Sequence, residues 1–185
     1  MPGKYWSSII DVAVDHGGYI TPSLVAPLGV PAVELRKMVS RGTLTAAARG
    51  VYRVPELPTV LLDEFILASL WAGDRAVVSH DSALLIHDLC DINPTKVHLT
   101  ISPSYRISRS GLTNYAVHRA ELTSNEVVRL DAIRLTTIQR TLQDSLNTVA
   151  TYLVEQAIET ATKRGAVNKR ENTMLRKLVS NGSQS

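Results

Sequence analysis

A short segment near the N-terminus carries side chains that can contact nucleic acid. They are Val33, Arg36, Lys37 and Ser40. Their spacing of i, i+3, i+4 and i+7 places them on one face of a helix. Arginine and lysine neutralise phosphates or hydrogen-bond to guanine, serine hydrogen-bonds to a phosphate or a base, and valine can contact a thymine methyl group. The opposite face is apolar and should pack inward, through Leu35, Met38 and Val39.

Three more arginines extend this set. Arg41 lies at the edge of the cationic face, Arg49 near the tip of a predicted hairpin, and Arg53 on its return strand. An arginine at such a tip is placed to enter a minor groove or to hold a phosphate. Glu34 lies on the flank of the helix, where its carboxylate either repels phosphate or pairs with another side chain. The predicted DNA-binding residues are Val33, Arg36, Lys37, Ser40, Arg41, Arg49 and Arg53.

The elements that must position these residues follow the order of a winged helix-turn-helix. We predict helices at 4–15, 22–28 and 31–41, a short extended piece at 19–20, and strands at 43–45 and 51–54. Thr21-Pro22 is a capping residue followed by a proline at the first helical position. Gly29 and Gly42 end the second and third helices. The third helix then carries the cationic face, and the two strands form the wing.

Two prolines within residues 55–58 predict a linker. Beyond it we predict helices at 60–72, 79–89, 137–146, 150–163 and 168–179, and strands at 76–78, 96–101, 114–119, 127–130 and 133–135. Ser79 is expected to cap the second of these helices, and Asn168 with Glu171 to form a reciprocal cap at the start of the last. The expected fold class is α+β, with a winged helix-turn-helix at 1–55, a mixed α/β domain at 59–180 and a flexible tail at 181–185.

Four histidines in the second unit are candidates for metal or acid–base chemistry: His80, His87, His98 and His118. No HExxH motif and no Cys–His ligand set accompanies them. The spacing therefore favours packed, hydrogen-bonded histidines, and we expect no metal, no cofactor and no catalytic residue. A metal-dependent nuclease that uses His80, Asp81 and His87 is the enzymatic alternative.

Charge is distributed unevenly along the chain. Residues 1–55 hold six basic and three acidic side chains, residues 56–162 hold eight and thirteen, and residues 163–185 hold six and one. The basic end is a candidate surface for an acidic partner. Its cations are Lys163, Arg164, Lys169, Arg170, Arg176 and Lys177. The single cysteine, Cys90, and the lack of an apolar signal core predict a cytoplasmic protein that does not enter a membrane.

Several of these residues also resemble a known family. The N-terminal run Gly29-Val30-Pro31, Arg41-Gly42 and Arg49-Gly50-Val51-Tyr52-Arg53 is similar to the N-terminal domain of AbiEi-type antitoxins. In the second unit, residues 78–84, 97–100, 117–119, 135–137 and 140–144 resemble the usual C-terminal landmarks of that family. The resemblance covers about residues 5–165, and the chain stops where some relatives continue into a nuclease-like domain.

The resemblance implies a non-catalytic antitoxin of a type IV toxin–antitoxin system. The winged helix would bind repeated operator half-sites and repress its own operon. The C-terminal domain would counteract a nucleotidyltransferase-like toxin, directly or indirectly. Regulators with similar first halves also occur without a known toxin partner. A stand-alone winged-helix regulator is therefore the alternative.

Overall fold

The computed structural model describes residues 3–73, 75–107 and 112–182. The chain divides into two compact units, the first built mainly from residues 1–75 and the second mainly from residues 76–185. Each unit contains helices and one β-sheet. The predicted fold class, a winged helix-turn-helix followed by a mixed α/β region, is confirmed.

The first unit has four helices and a three-stranded sheet among its described residues. In chain order they are α1 (Trp6–Asp15), β1 (Tyr19–Ile20), α2 (Pro22–Val25), a 3-10 turn (Ala26–Leu28), α3 (Ala32–Ser40), β2 (Thr45–Ala48), β3 (Val51–Arg53) and α4 (Asp63–Trp71). The strand order is β1-β3-β2, with both pairings antiparallel. The wing is the β2–β3 hairpin, and β1 pairs with its return strand.

Local signals explain why these helices begin and end where they do. The hydroxyl of Thr21 accepts a hydrogen bond from the Leu24 amide at 3.3 Å, which caps α2. Gly29 has a φ of +72°, a left-handed conformation that glycine adopts without penalty, and it turns the chain toward α3. The helices and β1 then close over one apolar core. Its fully buried residues include Ile9, Ile20, Val25, Leu35, Leu44 and Val54.

The boundary of the first unit lies later than the predicted linker at 55–58, because α4 packs on the wing strands β2 and β3. The Tyr19 hydroxyl donates a hydrogen bond to the Asp63 carboxylate at 2.7 Å. A Cβ placed on Gly17 would meet Ile66 Cδ1 at 2.6 Å, so α4 also lies close to the turn after α1. We therefore assign α4 to the winged helix-turn-helix unit.

The second unit is built on a five-stranded sheet. Its strands are β4 (Val77–Val78), β5 (Val97–Ile101), β6 (Tyr115–Arg119), β7 (Val127–Leu130) and β8 (Ile133–Thr136), in the order β6-β5-β4-β8-β7. The central strand β4 runs antiparallel to β5 and parallel to β8, where Val78 pairs with Leu135. The mixed direction of the strands agrees with the expected α/β class.

Four helices accompany this sheet: α5 (His80–Ile86), α6 (Ile138–Ser145), α7 (Thr151–Lys163) and α8 (Lys169–Gly182). They pack through a core that includes Leu84, Leu142, Val154, Ile158 and Leu175. Asn168 and Glu171 form the predicted reciprocal cap at the start of α8, since each side chain accepts from the other's backbone amide, at 3.0 and 2.8 Å.

Several local predictions differ from the structure, and the strand predicted at 43–45 lies instead at Thr45–Ala48. Ser79 precedes α5 but makes no side-chain cap, because its hydroxyl is engaged by His80 and Thr100 instead. The predicted tail at 181–185 begins too early, because α8 continues to Gly182. Residues 183–185 lie outside the described residues. Within the described ranges, no helix combines the length and apolar character needed to cross a bilayer.

Candidate nucleic-acid interface

The recognition helix α3 is fixed by its apolar face. Leu35 and Met38 are buried in the core of the first unit, and Val39 is half-buried. This anchoring turns the other side of the helix to solvent. There Val33 is 49% exposed, and the Arg36 side chain is exposed as well. The helix therefore presents its polar face outward, as its spacing predicts.

Two arginines of the predicted set extend from the first unit into solvent. Arg36 is exposed on α3, and Arg49 is exposed at the tip of the wing, beside Gly50 with a φ of +73°. Among the described residues, neither guanidinium has a hydrogen-bond or ion-pair partner. Each therefore retains its full set of donors for an external anion.

Lys37 and Arg41 are both paired with Glu34. Arg41 Nη1 lies 3.3 Å from Glu34 Oε1, and Lys37 Nζ lies 3.7 Å from Glu34 Oε2. The Lys37 side chain remains 54% exposed and that of Arg41 63% exposed, whereas the Glu34 side chain is only 21% exposed. Glu34 thus pairs with its neighbours, one of the two outcomes expected for it, and lowers the net charge of the cationic face.

Ser40 and Val33 complete the exposed face of α3. The Ser40 hydroxyl donates to the Lys37 carbonyl at 2.8 Å, and its oxygen lone pairs stay available to solvent. Val33 contributes a small apolar contact near the start of the helix. Val33 therefore contributes an apolar group and Ser40 a hydroxyl to this surface, whereas its positive charge comes from the arginines and the lysine.

Arg53 is used inside the first unit. Its Nη2 donates to the Leu57 carbonyl at 2.9 Å and to the Thr59 hydroxyl at 3.3 Å, and the guanidinium lies 5.7 Å from the centre of the Tyr19 ring. Burial, and then the bond to Asp63, raise the pKa of Tyr19 to about 12, so this ring stays neutral. Arg53 therefore fastens the segment after the wing, a role that its sequence position does not reveal.

Three of the four histidines in the second unit lie together. The rings of His80 and His118 stack with centroids 3.5 Å apart and planes 12° from parallel. His118 Nε2 lies 3.2 Å from His98 Nδ1, which in turn lies 3.7 Å from Asp81 Oδ1. His87 is separate and hydrogen-bonds to the carbonyl of Thr136 at 2.7 Å.

The cluster is arranged to keep its rings uncharged. Burial, and after it the neighbouring rings of His118 and His98, lower the pKa of His80 to about 3. Burial also lowers the pKa values of His98 and His118. The buried Ser79 hydroxyl, which accepts from Thr100 at 2.7 Å, lies 2.9 Å from His80 Nδ1. Across the described residues no group of three metal-ligating side chains is placed to hold an ion.

Half of the cations predicted to face a partner are engaged within the second unit. Lys163 Nζ lies 2.6 Å from Glu159 Oε1, and Arg164 donates to the carboxylate and the carbonyl of Asp88, each at 2.7 Å. Arg176 Nε donates to a neighbouring asparagine on α8 at 3.0 Å. The Arg164 contacts join the end of α7 to the residues after α5, whereas the other two contacts lie within α7 and within α8.

The other three cations, Lys169, Arg170 and Lys177, are exposed on α8 and have no partner among the described residues. Arg170 and Lys177 line a shallow groove with two apolar side chains, Met174 and Leu178, which are 58% and 40% exposed. We call Lys169, Arg170, Met174, Lys177 and Leu178 the α8 surface. Its apolar part was not predicted from the sequence, although the i, i+4 spacing of Met174 and Leu178 could have indicated it.

Residues 7–55 match a family of known proteins described as "Transcriptional regulator, AbiEi antitoxin". This segment runs from α1 through the wing and contains every residue of the predicted DNA-binding set. The family match therefore lies on the winged helix-turn-helix segment. The resemblance stated from the sequence is confirmed for this AbiEi-type segment, and the match contains no part of the second unit.

One solved structure that is similar to the chain is the crystal structure of the RV2827C protein from Mycobacterium tuberculosis. The two share 12% sequence identity, and the similarity covers 98% of this chain and 78% of that chain with a TM-score of 0.47. No curated protein sequence matches the chain.

Proposed function

We propose that this protein is a DNA-binding antitoxin that represses its own operon through the AbiEi-type winged helix-turn-helix. The observation that supports the proposal is the outward cationic face of α3, held in place by buried Leu35 and Met38 within a segment of a regulator family. A helix fits the major groove of B-DNA, where Arg36 would read a base or hold a phosphate. The protein would act in the cytoplasm without a cofactor or a catalytic residue.

The proposed DNA contacts are few, so one copy should bind modestly. Arg36 and Arg49 would reach DNA directly, and Lys37 and Arg41 would reach it with the N–H donors that their contacts with Glu34 leave free. We expect two copies on repeated half-sites to supply the affinity that one small domain lacks. Binding should weaken steeply with salt, because each neutralised phosphate releases a counterion.

A charge-matched pair of variants tests the DNA-binding proposal. The probe is a duplex enriched by the wild-type protein from a random-sequence pool. We expect the triple alanine variant of Arg36, Lys37 and Arg49 to lose most of its affinity for this duplex. The control triple alanine variant changes Lys96, Arg106 and Arg129, three exposed cations of the second unit. Equal affinity of the two triple variants in a gel-shift titration would refute the assignment.

We further propose that the second unit counteracts a nucleotidyltransferase-like toxin. The α8 surface supports this role, because it combines exposed Met174 and Leu178 with three cations that have no partner in the described part of the chain, a combination typical of protein-binding surfaces. The engaged cations Lys163, Arg164 and Arg176 would contribute less, since binding would first have to break their internal contacts.

Co-expression tests this second role in the full chain. The toxin is the nucleotidyltransferase-like protein of the neighbouring reading frame, and growth is the readout. We expect the wild type to rescue growth and a variant with Arg170→Glu and Lys177→Glu to fail. The control, Arg106→Glu with Arg129→Glu, carries the same charge change elsewhere and should rescue. Rescue by both variants would remove the α8 surface from the mechanism. Absence of such a reading frame would favour the stand-alone regulator.

A further inference from the structure

Glu34 is an acidic side chain in the middle of a cationic surface. We propose that Glu34 is a specificity-determining residue of α3, which restrains Lys37 and Arg41 and thereby weakens binding to non-cognate DNA more than binding to the operator. This inference rests on the proposed DNA-binding function. The Glu34 carboxylate would lower the affinity for DNA, whereas the cations around it would raise that affinity.

The geometry shows a shared restraint. Each carboxylate oxygen of Glu34 serves a different cation, with Oε1 toward Arg41 and Oε2 toward Lys37. The Arg41 contact at 3.3 Å is also a hydrogen bond. Lys37 and Arg41 lie three and seven residues after Glu34. This spacing places all three side chains on the same side of the helix, one turn apart. One negative charge therefore partly neutralises two of the four cations proposed to meet DNA.

Non-cognate and operator DNA respond differently to this restraint. Binding to non-cognate DNA is almost entirely electrostatic, so it depends on how many free cations the surface offers. Operator binding adds base contacts, here expected from Arg36, to which no described residue offers a partner. On the operator these contacts fix α3 in one position, in which Lys37 and Arg41 meet phosphates through their free N–H donors without leaving Glu34. On non-cognate DNA no base contact fixes the helix, so binding depends on how freely the two cations can move to phosphates, and Glu34 limits that freedom.

Removal of the charge from Glu34 tests the inference. Glu34→Gln keeps the size of the side chain, and Glu56→Gln is its control because Glu56 is an exposed acid of the same unit outside α3. Both full-length variants change the net charge equally. The two probes are the duplex enriched by the wild type from a random pool and a scrambled duplex of the same composition, each titrated at several salt concentrations.

We expect Glu34→Gln to bind the scrambled duplex roughly three- to tenfold more tightly than Glu56→Gln does, and the enriched duplex less than about twofold more tightly. The slope of log affinity against log salt on the scrambled duplex should steepen by about one to two units, as two more cations engage phosphates. A circular dichroism melt checks that both variants are folded.

Three other results would contradict the inference, and each would point to a different cause. Equal tightening on both duplexes would mean that Glu34 acts only as a general negative charge. Equal behaviour of the two variants would mean that the ion pairs are irrelevant to binding. If the wild type enriches no duplex and binds none, the proposed function itself fails, and the role of Glu34 fails with it.

Discussion

The guanidinium of Arg53 donates to the Leu57 carbonyl and lies near the Tyr19 ring, whereas that of Arg36 has no partner among the described residues. Both were predicted as DNA contacts from position alone. Helical spacing predicts which side of α3 faces solvent, because periodicity determines direction. It does not predict which cations the protein engages itself, since the acceptors for Arg53 come from a segment with no regular pattern.

Arg36→Ala should therefore lower the affinity for DNA, whereas Arg53→Ala should lower the stability of the first unit. We expect Arg36→Ala to weaken operator binding by about 1–3 kcal/mol with an unchanged melting temperature. Arg53→Ala should instead lower the stability of the first unit by about 1–2 kcal/mol, through two lost hydrogen bonds and one lost ring contact. Fluorescence anisotropy with labelled DNA and a thermal melt separate the two effects. A loss of stability in Arg36→Ala would contradict this division of roles.

Acidification should destabilise the second unit through its histidines. The pKa of His80 is lowered to about 3, and those of His87, His98 and His118 are also lowered by burial. A lowered pKa means that the unfolded chain takes up protons first, so stability is retained above about pH 6.5 and is lost below it. His80 alone should cost about 2 kcal/mol by about pH 5. Urea unfolding followed by circular dichroism measures the change.

A substitution at His80 provides the control for this pH dependence. His80 has a φ of +50°, a conformation that asparagine tolerates better than most residues. We expect His80→Asn to flatten the stability curve between about pH 7 and about pH 5. The Glu126 carboxylate, whose pKa the Thr123 amide and the Arg140 guanidinium lower to about 2, acts only below about pH 4.5 and so stays outside this window. An unchanged slope in the variant would assign the acid sensitivity to other groups.

At the scale of elements, glycines with positive φ end helices in the first unit, but their surroundings differ. Gly17 has a φ of +61° and lies against α4, so a methyl group there would meet Ile66 Cδ1 at 2.6 Å and Val60 Cγ2 at 3.2 Å. Gly29 has a φ of +72°, and no atom of the described residues lies within 4 Å of a Cβ placed there. One site combines backbone strain with crowding, and the other has the strain alone.

Alanine at each glycine should separate these two costs. We expect Gly29→Ala to destabilise the first unit by about 1–2 kcal/mol, the usual cost of a left-handed conformation. Gly17→Ala should cost more, since Ile66 must also move to admit the methyl group. The two tryptophans, Trp6 and Trp71, both lie in the first unit and report its unfolding by fluorescence. Equal losses would show that α4 adjusts without cost.

Most elements could be predicted because their signals are local. Thr21-Pro22 at the start of α2 and the Asn168–Glu171 cap of α8 act within a few residues, and the structure confirms both. The stacked histidines were not predicted, because His80 lies on α5 while His98 and His118 lie on neighbouring strands. Only the pairing of β5 with β6 brings the last two together, and no sequence spacing encodes that pairing.

At the scale of the whole molecule, the chain forms two units, and the placement of α4 in the first of them was not predicted. The two prolines at 55–58 do interrupt regular structure, but α4 still packs on the wing beyond them. Local composition indicates where the chain bends. It does not indicate with which unit the next helix packs, because that depends on contacts such as Tyr19 with Asp63.

Two N-terminal fragments test this assignment. A fragment of residues 1–73 should unfold cooperatively and bind the enriched duplex, whereas a fragment of residues 1–58 should be less stable by at least about 2 kcal/mol. The shorter fragment lacks α4 and leaves the Tyr19 ring and the turn at Gly17 uncovered. Urea titrations followed by circular dichroism, a probe common to both fragments, give the comparison. Equal midpoints would place α4 outside the folding unit.

The central position of β4 also affects the nascent chain during translation. Residue 78 pairs in parallel with residue 135, so one edge of the middle strand has no neighbour until the ribosome has made nearly sixty more residues. At about 5–20 residues per second this takes roughly 3–12 s. During that time the winged helix-turn-helix is already synthesised, while an uncovered strand edge is open to chaperones or to other emerging chains.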